Sequence, residues 1–204
     1  MLVFGHVGLT LGAAVALAGV MEARRKGDTP RRSWFGALAE FMDIRLLMVG
    51  SLLPDIIDKP VGLFLFRDFF SDGRIFSHTL LFLILLAAPG IWLYRRSRRT
   101  WLLALAFGTL THLVFDQIWL APRTFFFPLY GWGFDKIVVD HWISHMIVGL
   151  FNNTFVWASE LAGLVILLWF GGWLLTRKSI MPFVKSGRLA TFQSPAADQP
   201  HTHR

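Results

Sequence analysis

The chain predicts an all-α fold: a polytopic membrane helix bundle of about five transmembrane segments, N-terminus outside and C-terminus cytoplasmic. Three observations carry this. Hydrophobic residues make up 54% of the 204 and charged residues only 16%, against about 25% charged in a soluble domain, and the mean hydropathy is +0.53. Apolar stretches recur at lengths near the roughly 17–25 residues that a span requires. Lysine and arginine gather at the ends of these stretches that a single orientation would place in the cytoplasm.

The first stretch, Leu2–Met21, is followed by Arg24, Arg25, Lys26, Arg31 and Arg32. Its basic residues come after the apolar run and not before it, unlike a typical cleavable signal, so it is expected to remain as a helix. Ile44–Ile57 is shorter and contains Gly50, Ser51 and Pro54, which predicts a short, kinked or partly re-entrant helix shielded by protein. Thr79–Tyr94 runs into Arg95, Arg96, Arg98 and Arg99, Trp101–Leu120 returns, and Phe155–Leu175 leads into a basic tail from Arg177. Ile137–Phe151, with Asp140, His141 and His145, is too polar to cross alone and is predicted as an interfacial or partly buried helix. The loops Lys59–Ser77 and Ala121–Asn153 then face outward. Residues 1–176 form one integral membrane domain with a charged cytoplasmic loop at 22–40, and 177–204 form a flexible basic cytoplasmic tail. No internal repeat is present.

The net charge of +7 lies mostly beside apolar segments, where topology and anionic headgroups account for it. No base-recognition motif accompanies it, so membrane lipids are the expected partners and nucleic acid is not. The chain has no cysteine, which removes disulfides, thiolate metal sites and a cysteine nucleophile together. Any metal must be held by nitrogen and oxygen.

Several acids and histidines fall at segment ends that share the outer side. His112 and Asp116 are four apart, one turn on a helix, a spacing that suits two ligands on one ion or a plain His–Asp hydrogen bond. Pro54 is well suited to opening a new turn, which would set Asp55 and Asp58 three apart in its first turn. Such a pair repels unless a cation lies between, although an Asp cap plus a surface acid near Lys59 accounts for it equally. His78 opens the third segment as a ligand or a capping residue, and Arg74 beside it offers a partner for phosphate or carboxylate, or an interface anchor. His141 and His145 repeat the i, i+4 spacing, but H-E-x-x-H is absent. Glu160 lies one or two turns into the last span as a structural acid, a ligand or a base.

Leu53-Pro54-Asp55-Ile56-Ile57-Asp58, Phe76-Ser77-His78-Thr79-Leu80-Leu81 and Thr111-His112-Leu113-Val114-Phe115-Asp116, with His6-Val7-Gly8-Leu9-Thr10 before them, resemble in order the motifs of the YdjM-like membrane-bound metal-dependent hydrolases. The resemblance runs from about residue 6 to 120, with a weaker echo at Glu160-Leu161-Ala162-Gly163. It implies a bacterial inner-membrane protein with a hydrolytic metal site and His6, Asp55, Asp58, His78, His112 and Asp116 as ligands. Family members often carry a tighter Asp-x-Asp followed by His, whereas this chain reads Asp-Ile-Ile-Asp-Lys-Pro, which leaves the role of Asp58 open. The ligand order is also distantly similar to that of the all-helical bacterial zinc phospholipases C, a hint of a phosphoester substrate.

The expected function is a hydrolase with one or two divalent ions, most naturally Zn²⁺, at the outer interface, acting on an ester or phosphoester of a lipid or lipid-linked substrate. Its metal candidates are His6, Asp55, Asp58, His78, His112, Asp116, His141 and His145. Asp58 or Glu160 would act as base and Arg74 would neutralise substrate charge. Two rivals remain: an ion-binding or transport protein, and a structural polar network that holds no metal.

Overall fold

The computed structural model describes residues 1–24, 34–70, 72–134, 148–149 and 151–187, and every regular element among them is helical. Three of these helices are long and apolar enough to cross a membrane: α1 (Val3–Ala23), α5 (Leu80–Ser97) and α8 (Thr154–Thr176). Two more, α3 (Ile44–Lys59) and α6 (Trp101–Phe115), have 16 and 15 residues. At 1.5 Å per residue these reach only about 24 and 22 Å, less than a hydrocarbon core of roughly 30 Å. The five expected segments are therefore three full-length helices and one short pair. Single helical turns, α4 (Arg67–Phe70) and α7 (Pro122–Phe125), lie in the connections before α5 and after α6.

Glycine brings the helices together in pairs. A side chain at Gly50 would lie 2.6 Å from the Leu105 carbonyl oxygen, and one at Gly108 would lie 2.6 Å from the Ser51 amide. The backbones of α3 and α6 thus touch directly. Gly8 and Gly163 do the same for α1 and α8. Close backbone approach through small residues is the usual device for joining helices in lipid, where no hydrophobic force separates helix from solvent.

Pro54 does not break α3, which runs through it. A proline inside a helix strands the carbonyl four residues back, here that of Gly50, and the Thr109 hydroxyl of α6 donates to that oxygen at 3.3 Å. Asp55 and Asp58 therefore lie towards the end of α3, which a π-helical stretch at Pro60–Leu65 prolongs, and not in the first turn of a new helix. α6 ends at Phe115, short of the expected Leu120. Gln117 takes a left-handed conformation (φ 51°) before a single 3-10 turn at Ile118–Leu120.

Helices pack within the described parts of the charged loop and of the tail. Within 22–40, helix α2 (Trp34–Phe41) buries Phe35, Ala37 and Leu38. The Phe35 ring lies 4.6, 5.0 and 5.1 Å from those of Trp169, Phe170 and Trp173, so an apolar run beside a charged one is drawn into the bundle. At the start of the tail, α9 (Ile180–Ser186) sets Phe183 edge-on to Phe170 at 5.3 Å, and Arg45 Nη1 donates to the Val184 carbonyl at 2.9 Å. Arg45 also grips Asp43, the N-cap of α3. Burial would push that carboxyl up, but hydrogen bonds from the Arg45 side chain and amide outweigh it and hold Asp43 below its usual range. These aromatic contacts join a core of Leu11, Ala14, Val15, Leu47 and Leu174. The expected interfacial helix at Ile137–Phe151 lies almost wholly outside the described residues.

Candidate metal centre

The starts of α1, α5 and α8 and the ends of α3 and α6 meet in one place, opposite the Arg95–Arg99 end. His6, Asp58, His78 and His112 are all completely buried there. On α3, residues 51, 55 and 58 share one face, and the close α3–α6 contact sets that face against His112.

His112 Nδ1 lies 2.6 Å from the Ser51 carbonyl oxygen. A carbonyl only accepts, so Nδ1 carries the proton and Nε2 of the neutral ring is left as a lone pair. His78 is fixed in the same sense: its Nδ1 lies 2.7 Å from Asp58 Oδ2 and donates to the carboxylate. Asp58 also accepts from the amides of Ile75 (2.8 Å), Ser77 (3.0 Å) and His78 (3.2 Å). Both of its oxygens are thereby engaged in shaping the loop before α5. That loop is further pinned by the Ser77 hydroxyl on the Pro54 carbonyl at 3.0 Å, and by Thr79, which caps α5 by accepting from the Phe82 amide.

The two free Nε2 atoms face each other at 3.2 Å. Two lone pairs at that distance repel unless a cation or a shared proton lies between them. Two imidazoles on a tetrahedral Zn²⁺, with Zn–N of 2.0–2.1 Å, would have nitrogens about 3.3 Å apart. The spacing fits a metal.

Carboxylates and a third imidazole complete the surroundings. Asp55 Oδ1 is 3.7 Å from His78 Nε2 and 3.9 Å from His112 Nε2, while its Oδ2 pairs with Lys59 Nζ at 2.6 Å. His6 stacks on His112, ring centroids 3.9 Å apart. Its Nε2 is 3.2 Å from Asp116 Oδ1, yet neither ring nitrogen has a hydrogen-bond partner. An unpaired buried polar atom costs on the order of 1–3 kcal/mol, which a bound ion would relieve. Asp116 also pairs with Arg74 Nη2 and with the Met1 nitrogen, each at 3.0 Å. The Arg74 amide donates to Asp72, whose carboxyl burial pushes up. Among the described residues, two groups of three have ligand atoms mutually within 4.8 Å: His6, Asp55 and His112, and His78, His112 and Asp116. They share His112.

Glu160 stands outside this cluster. Its two oxygens accept from the amides of Leu2 (2.6 Å) and Phe4 (3.0 Å), where a negative charge complements the start of α1. It anchors the helix that carries His6. His141 and His145 lie outside the described residues. Sequence reasoning missed the Ser51 carbonyl and the Thr109 hydroxyl, and no residue pattern announces a backbone acceptor. It also missed the buried Thr10–Thr111 hydroxyl pair at 2.7 Å beside His112. That pair had a signal, since Thr10 stands one turn from His6 and Thr111 adjoins His112.

No curated protein and no solved structure matches the chain. The family model described as YdjM inner membrane protein matches residues 1–181, nearly the whole length over which these helices and this cluster are built, and the chain belongs to that family.

Proposed function

We propose that the protein is a metal-dependent hydrolase of the inner membrane, acting on an ester or phosphoester of a lipid or lipid-linked substrate at the outer interface. The observation that carries this reading is the facing pair of Nε2 atoms at 3.2 Å, beside a third imidazole whose ring nitrogens have no hydrogen-bond partner. His6, His78, His112, Asp55 and Asp116 would hold one or two ions, and a donor set of imidazole and carboxylate without thiolate suits Zn²⁺. When bound there, the ion would supply Lewis acidity, acidifying water and polarising a carbonyl or phosphoryl oxygen.

The remaining roles derive from the contacts each side chain already makes. Asp58 orients His78 and keeps its Nε2 free, as carboxylates behind metal-bound imidazoles do. Asp58 and Glu160, the bases expected from sequence, have both oxygens committed, and Asp55, whose Oδ2 pairs with Lys59, would serve through Oδ1 as a ligand. Arg74 would take an anionic oxygen of the substrate. The extracytoplasmic assignment rests on Arg24, Arg95, Arg96 and Arg177, which lie at the opposite ends of the same helices.

A shared proton between His78 and His112 would satisfy those two rings without a metal, but it leaves the His6 ring nitrogens without a hydrogen bond. A transport role favours broken helices near the midplane, whereas α3 is continuous and His6 lies near the start of α1. Elemental analysis of the purified protein tests the proposal. Zinc should be present at about one or two ions per chain and be lost in His112→Ala and Asp116→Ala. Unchanged metal in both variants would sink it.

A further inference from the structure

The loops at the cluster end carry large apolar side chains in the open. Phe64 and Phe69, before α5, are 72% and 71% exposed, and Leu129 and Trp132, after α6, are 83% and 85% exposed. In water such a surface would be a liability, but at the boundary between headgroups and acyl chains aromatic side chains are favoured. The two loops are one surface. Phe70 meets Phe76 and Phe134 edge-on at 5.5 and 6.0 Å, and Phe127 stacks on Phe134 at 4.8 Å and meets Trp132 at 5.7 Å.

This collar is built into the cluster. Phe76 stands between Arg74 and His78, within the stretch whose amides Asp58 holds. Arg74 remains 42% exposed while its Nη2 pairs with Asp116, so the guanidinium lies at the junction of rings and cluster. A guanidinium has five donors and pairs well with phosphate oxygens. Rings leading to a cation are the recognition elements of an amphiphile, and the anionic amphiphiles of a bilayer are phosphate lipids.

We propose that the collar takes an anionic lipid sideways from the adjoining leaflet, the chains lying over the rings and a phosphate head received by Arg74 beside the His/Asp cluster. This deepens the hydrolase reading and rests on it for any chemistry after binding. The source of the phosphate is a lipid and not a soluble ester.

The test is native mass spectrometry of zinc-loaded protein released from detergent, with dioctanoyl phosphatidic acid as probe and dioctanoyl phosphatidylcholine and glycerol 3-phosphate as comparators. Phosphatidic acid should be retained about tenfold or more over both, the scale of one charge-assisted contact. Arg74→Gln should abolish the preference over phosphatidylcholine. Phe64→Ser with Leu129→Ser, two exposed positions that are not metal candidates, should weaken phosphatidic acid retention while zinc content and helicity stay unchanged. Equal retention of both lipids, glycerol 3-phosphate bound as tightly as phosphatidic acid, or an indifferent Arg74→Gln would each overturn the inference. Zinc measured on the same samples separates the two readings. Zinc without lipid preference overturns only the collar, whereas lipid preference without zinc overturns the metal reading and supports the collar.

Discussion

Helix α1 runs through two interiors of opposite character. Near its start it buries His6 and Thr10 among imidazoles, carboxylates and hydroxyls. From Leu11 onward it buries Ala14, Val15 and Ala18 against Phe35, Leu47 and Phe170. The second interior needs only packing to persist. The first carries ionisable groups that are costly in a bilayer and that pairing must satisfy one by one. Among the described residues, both ring nitrogens of buried His6 lack a hydrogen-bond partner, and the Nε2 atoms of His78 and His112 have only each other. The polar half therefore points to chemistry and the apolar half to assembly.

Three variants sharpen that division. Gly108→Val strikes both halves, because its Cβ would meet the Ser51 amide at 2.6 Å on the helix that carries Asp55 and Asp58. It should cost about 3 kcal/mol or more, read as a lowered melting temperature in detergent, with zinc lost as well; a stable, zinc-loaded variant would refute the account of the α3–α6 contact. Leu11→Ala should cost about 2 kcal/mol or more through the cavity it leaves while zinc content holds. Zinc lost from a still-folded Leu11→Ala protein would show that the halves are not separable. Asp58→Ala should do the reverse. Zinc affinity should fall about 10- to 100-fold, the effect of removing a carboxylate behind a metal-bound imidazole, and competition with a chelator would measure it. A complete loss would instead make Asp58 a ligand.

The sequence made the apolar half legible only in outline and the polar half legible in membership but not in role. α1, α5 and α8 could be read because long apolar runs with basic ends have few alternatives in a bilayer. α2 was hidden because eight residues beside a charged run resemble a loop, and its burial depends on Trp169 and Trp173, far along the chain. The convergence of His6, Asp55, Asp58, His78, His112 and Asp116 was legible from the ends they occupy. What each does was not, because hydrogen bonds distant in sequence decide it. Asp55 and Asp58 differ by one helical turn, yet one faces two imidazoles and the other is consumed by three amides and an imidazole. Pro54 misled for the same reason, since the hydroxyl that relieves its missing hydrogen bond comes from another helix.

The central claim is that these imidazoles converge to hold a metal. X-ray absorption at the zinc edge of the purified, zinc-loaded protein tests it most directly. The account predicts a first shell of nitrogen and oxygen at about 2.0–2.1 Å, with imidazole scattering from at least two rings that diminishes in His112→Ala. Zinc with no imidazole in its shell, or a spectrum unchanged by His112→Ala, would contradict it.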